Sequence, residues 1–171
     1  GVIRGAALLD LLERQADALL ACEPQPMTDL IARNVAIKAA VVAADEREAG
    51  QRAHLNFGHT VGHALETLLG LGALSHGEAV SLGMVVANAL AVARGLLGAD
   101  DAARVAALLA RLQLPIRQAG LDPDTVWRIM QHDKKARGGK VRMVLAETLG
   151  RVGIYDDVTA DELAAALEAL A

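Results

Sequence analysis

The sequence is poor in aromatic residues and in cysteine, and each shortage narrows the class of protein. Aromatic side chains make up 2% of its 171 residues, as Phe57, Trp127 and Tyr155. The single cysteine, Cys22, cannot form a disulfide within the chain, which is typical of a reducing compartment. The net charge of −4 leaves no basic surplus, so the composition does not favour nucleic acid as a partner.

Long apolar runs are also absent from the sequence. No uninterrupted run reaches the roughly 18–20 residues of a membrane span, and the first residues lack the basic and apolar regions of a signal peptide. We therefore expect a cytoplasmic protein that does not interact with a membrane. The composition, 53% hydrophobic and 22% charged, is that of an ordinary globular domain. Alanine supplies much of the apolar fraction, which favours closely packed helices.

Apolar residues recur mostly at helical spacing, which predicts a mainly α fold. Leucines between residues 8 and 20 predict a first helix that is broken by Pro24 and Pro26. Thr28 is placed to cap a second helix that continues to Gly50. Residues 52–58 are predicted to form a loop. Helical spacing then returns in residues 59–70, 77–97, 102–114, 122–133 and 159–171.

Smaller signals complete the predicted fold. The segment 77–97 is apolar nearly all round and is predicted to be the buried central helix. Asp100 or Asp101 is expected to cap the next helix, and Thr159 with Glu162 has capping-box spacing. Alternation around a glycine predicts a small β-hairpin near residues 140–155. The sequence thus predicts one helical domain over residues 1–171 with a single minor β element.

Two histidines four residues apart stand in the segment LNFGHTVGH. Positions i and i+4 share one helical face, so His59 and His63 are expected to point into the same space. HTVGH lacks the glutamate of a zinc-protease motif, and two hydrogen-bonded histidines without a metal are the alternative. A third histidine, His76, precedes the next predicted helix and can be aimed at the same pocket.

A catalytic zinc needs three protein ligands and one open position. Two histidines from this chain leave the site one ligand short. The nearby acidic candidates are Asp45, Glu46, Glu48 and Glu78. Because helical periodicity starts almost at Gly1 with no capping residue before it, a ligand upstream of Gly1 is the other possibility.

Four motifs together resemble the C-terminal half of 3-dehydroquinate synthase, an enzyme of the shikimate pathway. They are D-E-x-E, R-x-x-L-N-F-G-H-x-x-G-H, H-G-E and D-K-K, and they occur in that order from residue 45 to residue 135. The resemblance covers nearly the whole chain. It implies the helical metal- and substrate-binding domain of that family, with the NAD-binding domain and an acidic zinc ligand lying upstream of Gly1.

The resemblance also implies a role for each matching residue. His59 and His76 correspond to zinc ligands, and cobalt would fit the same ligands. His63 and Asn56 correspond to residues that face the substrate. Lys38 and Arg52 match the pair that holds the substrate carboxylate. Either Lys134 or Lys135 matches a phosphate-contacting lysine, and Lys134 is favoured. Without the resemblance, these lysines and Arg52 would be interpreted as solvated or helix-end charges. His54 and His132 match none of the family motifs and are interpreted as structural or surface residues.

The implied reaction converts 3-deoxy-D-arabino-heptulosonate 7-phosphate into 3-dehydroquinate and phosphate, with NAD and zinc as cofactors. Since the sequence contains no G-x-G-x-x-G loop, the chain is expected to be inactive alone. The family also implies a homodimer for the full-length enzyme.

Three alternatives stay open at this point. Another sugar-phosphate cyclase, such as a 2-deoxy-scyllo-inosose or valiolone synthase, shares the zinc histidines but binds a substrate without the carboxylate. A metal-dependent enzyme of the glycerol dehydrogenase type has a related helical domain. A non-catalytic helical interaction module would use the histidines as core residues.

Overall fold

The computed structural model describes residues 1–45, 50–70, 72–134 and 140–171, with the backbone alone for residues 133 and 134. These ranges contain seven α-helices and a two-stranded antiparallel sheet. The helices are α1 (Ala6–Leu20), α2 (Pro24–Ala44), α3 (His59–Leu69), α4 (His76–Ala93), α5 (Ala99–Arg111), α6 (Pro123–Lys134) and α7 (Ala160–Leu167). The strands are β1 (Met143–Thr148) and β2 (Arg151–Tyr155), and 3₁₀ helices span Gln51–Asn56 and Glu168–Leu170. The predicted mainly α fold with one hairpin is confirmed.

The start of α2 differs from the prediction. The helix begins at Pro24, so the prolines that were expected to separate two helices lie in the first turn of the second one. Proline is well tolerated there because the first helical N–H groups have no intrahelical acceptor. Thr28 is therefore inside the helix, where its hydroxyl donates to the Pro24 carbonyl at 2.8 Å. The helix ends at Ala44 and not at Gly50.

Two further boundaries correct the sequence analysis. The segment predicted as a loop contains the 3₁₀ helix Gln51–Asn56. The helix α5 has Gly98 as its N-cap, so Asp100 and Asp101 lie in the first turn and neither caps the helix. Their carboxylates still face the positive end of the helix dipole, which explains why acidic residues cluster at this point.

The helix α4 is the core of the domain, as predicted. Leu82, Val86 and Leu90 are fully buried, and the helix contacts α3, α5, α7 and β1. Its first turn is closed by a capping box, in which the Ser75 hydroxyl accepts from the Glu78 N–H and the Glu78 carboxylate accepts from the Ser75 N–H at 2.7 Å. By length and hydropathy alone α4 could cross a membrane, but half of it is buried inside the domain, as is usual for a central core helix.

Glycines let α3 approach α4 closely. A Cβ at residue 83 would overlap the Gly58 carbonyl oxygen, and a Cβ at Gly62 would lie 3.0 Å from the Ala79 carbonyl oxygen. Gly58 itself has a φ of 79°, a left-handed conformation that favours glycine. Backbone contact at these positions fixes the distance between the two helices.

The hairpin and the C-terminal helix complete the core. The strands pair from Met143 opposite Tyr155 to Thr148 opposite Arg151. The predicted capping box at the start of α7 is confirmed, with the Thr159 N–H donating to Glu162 at 2.8 Å. The Glu162 carboxylate also accepts two hydrogen bonds from Arg94 just after α4, at 2.8 and 2.9 Å, and so ties α7 to the central helix.

Candidate metal centre

Three histidines from two helices meet at one end of the α3–α4 pair. His59 is the first residue of α3, His63 follows one turn later, and His76 is the first residue of α4. The ring centroids are 5.2 Å apart for His59 and His76, 5.7 Å for His59 and His63, and 5.6 Å for His63 and His76. The structure therefore brings together all three histidines that the sequence analysis selected.

His59 is the most buried of the three rings. Burial is the main cause that lowers its pKa, and the neighbouring His76 and His63 lower the pKa further, while a contact with the Phe57 carbonyl opposes this. The Nδ1 atom lies 3.2 Å from that carbonyl oxygen. If Nδ1 donates this hydrogen bond, Nε2 is left as a bare lone pair. A neutral imidazole with one fixed N–H is the form that binds metal ions.

His76 is exposed, and its partner is a carboxylate that the sequence analysis did not select. The Nδ1 atom lies 3.2 Å from Glu66 Oε1 and 3.5 Å from Oε2. Glu66 follows His63 by three residues, so the two side chains share one face of α3. This H-x-x-E spacing is the signal in the sequence that indicates Glu66.

The same region offers a compact set of metal-binding atoms. His63, Glu66 and His76 each place one ligand atom within 4.8 Å of the other two. Two imidazoles and a carboxylate are ligands that zinc accepts. The site thus contains two overlapping arrangements: the predicted pair His59 and His76, and this set of three.

A cleft of about 470 Å³ opens beside these residues. One wall is α3, through Thr60, His63 and Glu66, and the other wall is α6, through Ile129, Met130 and His132. His132, expected to be structural or at the surface, is exposed and lines this cleft. The backbone of Lys134 lies at the end of α6, whereas the Lys134 side chain and Lys135 lie outside the described residues.

The predicted substrate residues lie on two elements. Arg52 is half-buried and Asn56 is exposed on the 3₁₀ helix that leads into α3. The carboxylate of Asp45 accepts hydrogen bonds from the Gly50 and Arg52 N–H groups at 2.7 and 2.9 Å, so Asp45 fixes the start of this helix. Lys38 is exposed on α2, which contacts the same 3₁₀ helix.

The other acidic ligand candidates have different positions. Glu78 is part of the α4 capping box, which agrees with the expectation that it orients that helix. Glu46 and Glu48 lie outside the described residues.

Comparison with known protein families gives a direct match. A family model described as "3-dehydroquinate synthase C-terminal" matches residues 1–136. The chain belongs to this family. A 3-dehydroquinate synthase of Prochlorococcus marinus (strain MIT 9313) is 42% identical over 99% of this chain and 46% of the relative. One from Synechococcus sp. (strain ATCC 27144 / PCC 6301 / SAUG 1402/1) is 47% identical over 85% of this chain and 40% of the relative. The chain thus spans less than half the length of these relatives.

Solved structures of related cyclases share the fold. A 2-epi-5-epi-valiolone synthase from Streptomyces hygroscopicus subsp. jinggangensis 5008, with NAD⁺ and Zn²⁺ bound, superimposes with a TM-score of 0.89. It is 30% identical, and the match covers 99% of this chain and 47% of the neighbour. A 2-deoxy-scyllo-inosose synthase complexed with carbaglucose-6-phosphate, NAD⁺ and Co²⁺ superimposes with a TM-score of 0.71. It is 26% identical, and the match covers 85% of this chain and 41% of the neighbour.

Proposed function

We propose that these residues form the metal- and substrate-binding part of a 3-dehydroquinate synthase, which converts 3-deoxy-D-arabino-heptulosonate 7-phosphate into 3-dehydroquinate and phosphate. The observation that supports the proposal most strongly is the meeting of His59, His63 and His76, with ring centroids 5.2–5.7 Å apart. The family match and the identity to relatives with this name point to the same reaction.

The metal would be held by His59 and His76. The residues fit a zinc or cobalt ion, since imidazole nitrogens suit both metals and burial favours the neutral form of His59. A bound ion of this kind supplies Lewis acidity at a substrate oxygen. The third ligand is assigned to an acidic residue outside these 171 residues.

The substrate would be oriented by the residues around the histidines. Arg52 offers a planar guanidinium that can bind a carboxylate through two parallel hydrogen bonds, and Lys38 adds a point charge. His63 and Asn56 would contact the substrate near its phosphate and help to place this leaving group. The phosphate is assigned to Lys134 or Lys135, with Lys134 favoured, on the family resemblance alone.

The NAD-binding part is assigned to the portion of the enzyme outside this chain. The relatives are more than twice as long as the region that they share with it, and the sequence contains no G-x-G-x-x-G loop. Two solved neighbours carry NAD⁺ together with Zn²⁺ or Co²⁺. We therefore expect no turnover when the 171-residue chain is assayed with substrate, NAD and zinc. Turnover close to that of a full-length 3-dehydroquinate synthase would contradict this division of roles.

A sister sugar-phosphate cyclase is the second candidate, since solved structures of such enzymes share the fold. Carbaglucose-6-phosphate, which is bound to one of these neighbours, lacks the carboxylate that Lys38 and Arg52 are proposed to bind. The carboxylate can be tested by comparing binding of 3-deoxy-D-arabino-heptulosonate 7-phosphate with that of carbaglucose-6-phosphate to a full-length enzyme containing this sequence. Preference for the second compound would favour the sister reaction.

Zinc titration tests the metal site. Isothermal titration calorimetry of the chain is expected to show a loss of affinity of about 100-fold or more in His59→Ala and in His76→Ala, since removing a ligand costs at least as much as removing its hydrogen-bond partner. His54→Ala is the matched control, because His54 lies near Arg4 and Glu147 and has no assigned role. Equal zinc affinity in all four proteins would contradict the metal site and favour the non-catalytic interaction module.

A further inference from the structure

We propose that Glu66 is a positioning residue for His76: it accepts the Nδ1–H of that imidazole and thereby presents Nε2 to the metal. The inference rests on the proposed metal site and adds a residue to it. Its basis is the contact of His76 Nδ1 with both carboxylate oxygens of Glu66, at 3.2 and 3.5 Å.

The direction of this hydrogen bond follows from the chemistry of the two groups. An ionised carboxylate can only accept hydrogen bonds, so the proton between the groups belongs to Nδ1. A neutral imidazole that carries its proton on Nδ1 has an unprotonated Nε2. Glu66 therefore selects the tautomer whose free lone pair lies on the far side of the ring. Carboxylates that accept a hydrogen bond from a metal-ligating histidine fix its tautomer in this way.

The exposure of the two side chains explains why the contact would matter for metal binding. His76 is 56% exposed and Glu66 is 31% exposed. An exposed histidine at the first position of a helix has few packing contacts that could fix its ring. A hydrogen bond that His76 donates to a more buried carboxylate supplies the missing orientation, and it lowers the entropic cost of metal binding.

The backbone around the contact is already fixed. Glu66 lies on α3 and His76 on α4, and the overlap that a Cβ at Gly83 would make with Gly58 shows that the two helices touch through their backbones. The Ser75–Glu78 capping box fixes the first turn of α4. Both ends of the hydrogen bond therefore stand on rigid elements, which is what a preorganised metal site requires.

Direct ligation by Glu66 is the competing assignment. His63, Glu66 and His76 have ligand atoms within 4.8 Å of one another, so a metal held by these three residues would make the carboxylate a ligand. The two assignments differ in what Glu66→Gln does. A glutamine retains the acceptor oxygen for Nδ1–H, but it is a poor replacement for an anionic ligand.

The first measurement needs no metal. Long-range ¹H–¹⁵N NMR of the metal-free chain above pH 7 reports which ring nitrogen of His76 carries the proton. We expect Nδ1–H in the unaltered chain and in Glu66→Gln, and a shift towards Nε2–H in Glu66→Ala. A His76 ring protonated on Nε2 in the unaltered chain would overturn the proposal.

The second measurement is a Co²⁺ titration followed by visible absorption. Glu66→Ala is expected to bind Co²⁺ 10- to 100-fold more weakly, in the range found for outer partners of metal-binding histidines. Glu66→Gln is expected to lose less than about 10-fold and to retain the absorption bands of the unaltered chain. Glu168→Gln, an exposed carboxylate on the terminal 3₁₀ helix, is the control and should be unchanged.

The outcomes separate this inference from the proposed function. Loss of Co²⁺ binding in His76→Ala but not in Glu66→Ala would overturn the role of Glu66 alone. Changed absorption bands in Glu66→Gln would overturn it in favour of direct ligation. Identical weak binding in the unaltered chain and in His76→Ala would overturn the metal site and this role together.

Discussion

The helices α4 and α2 differ sharply in how the domain holds them. Nine of the α4 residues are buried, including Leu82 and Leu90. In the longer α2 only Val41 is buried, while Ile31 and Val35 are 56% and 61% exposed. The helix α4 carries His76 and α2 carries Lys38. The two parts of the proposed site are therefore held by helices that differ in burial.

This difference bears on how the site is built. The histidines stand on α3 and α4, whose close contact and shared core fix their geometry before any ligand arrives. Lys38 stands on α2, whose main contacts within the described part of the chain are with α1 and the 3₁₀ helix Gln51–Asn56. Regions with few buried contacts open at low free energy. The proposed metal-binding residues are therefore expected to be preorganised, whereas the position of Lys38 is expected to depend more on its surroundings.

The largest expected effect comes from removing a core side chain. Leu90→Ala should lower the free energy of unfolding by about 2–5 kcal/mol, because Leu90 is fully buried. Ile31→Ala on α2 is the matched change and should alter it by less than about 0.5 kcal/mol. Urea denaturation followed by circular dichroism measures both. Equal losses at the two positions would contradict the contrast between the helices.

The next largest effect on the free energy of unfolding is expected from substituting a glycine of α4. Gly83→Ala should lower the free energy of unfolding by about 1–3 kcal/mol or more, since its Cβ would overlap the Gly58 carbonyl. Gly77→Ala is the control in the same helix, because a Cβ there meets nothing within 4 Å. It should stabilise by up to about 1 kcal/mol through helix propensity. If both variants shift the urea midpoint alike, the backbone contact does not fix α3 against α4.

A smaller effect is expected from the ion pair that joins α4 to α7. Arg94 is the main cause that lowers the pKa of Glu162 to about 2. A carboxyl group with a lowered pKa stabilises the fold above its ordinary pKa of 4.5, and this contribution is lost as the pH falls from 4.5 towards 2. Glu162→Gln should cost about 1 kcal/mol at pH 7, because Glu162 is about one-third exposed and solvent screens the pair.

The pH profile of unfolding checks this assignment. The difference between the unaltered chain and Glu162→Gln should shrink steadily below pH 4.5. A difference that is constant from pH 7 to pH 3 would contradict stabilisation of the domain by the charge of Glu162.

The smallest effect is expected at Lys38. Lys38→Ala should change the free energy of unfolding by less than about 0.5 kcal/mol, since the residue is exposed on α2. Arg33→Ala, also exposed on this helix, should behave in the same way. A loss above 1.5 kcal/mol in Lys38→Ala alone would give Lys38 a structural role and would weaken its assignment to the substrate carboxylate.

Local signals in the sequence predicted much of the fold. The helix predicted over residues 59–70, the hairpin and the Thr159–Glu162 capping box follow from periodicity and capping chemistry, and all three are confirmed, with the helix ending at Leu69. The start of α2 was predicted wrongly because proline can either end a helix or open one. In the structure Pro24 and Pro26 lie in the first turn of α2, where proline is tolerated.

The candidate site could be predicted only in part from the sequence. The meeting of His59 and His63 follows from helical spacing, and His76 could be added because it precedes the next predicted helix. Glu66 was not identified, because its partner is ten residues away on another helix. The H-x-x-E spacing places Glu66 on the same face of α3 as His63, but the contact with His76 exists only because α3 and α4 are packed against each other.

The most direct test of the central claim is a crystal structure of the Co²⁺-loaded chain with data collected at the cobalt absorption edge. The account predicts an anomalous peak within about 2.3 Å of a ring nitrogen of both His59 and His76, with no bond to His63. A peak bound by His63, Glu66 and His76, with His59 left outside, would contradict it.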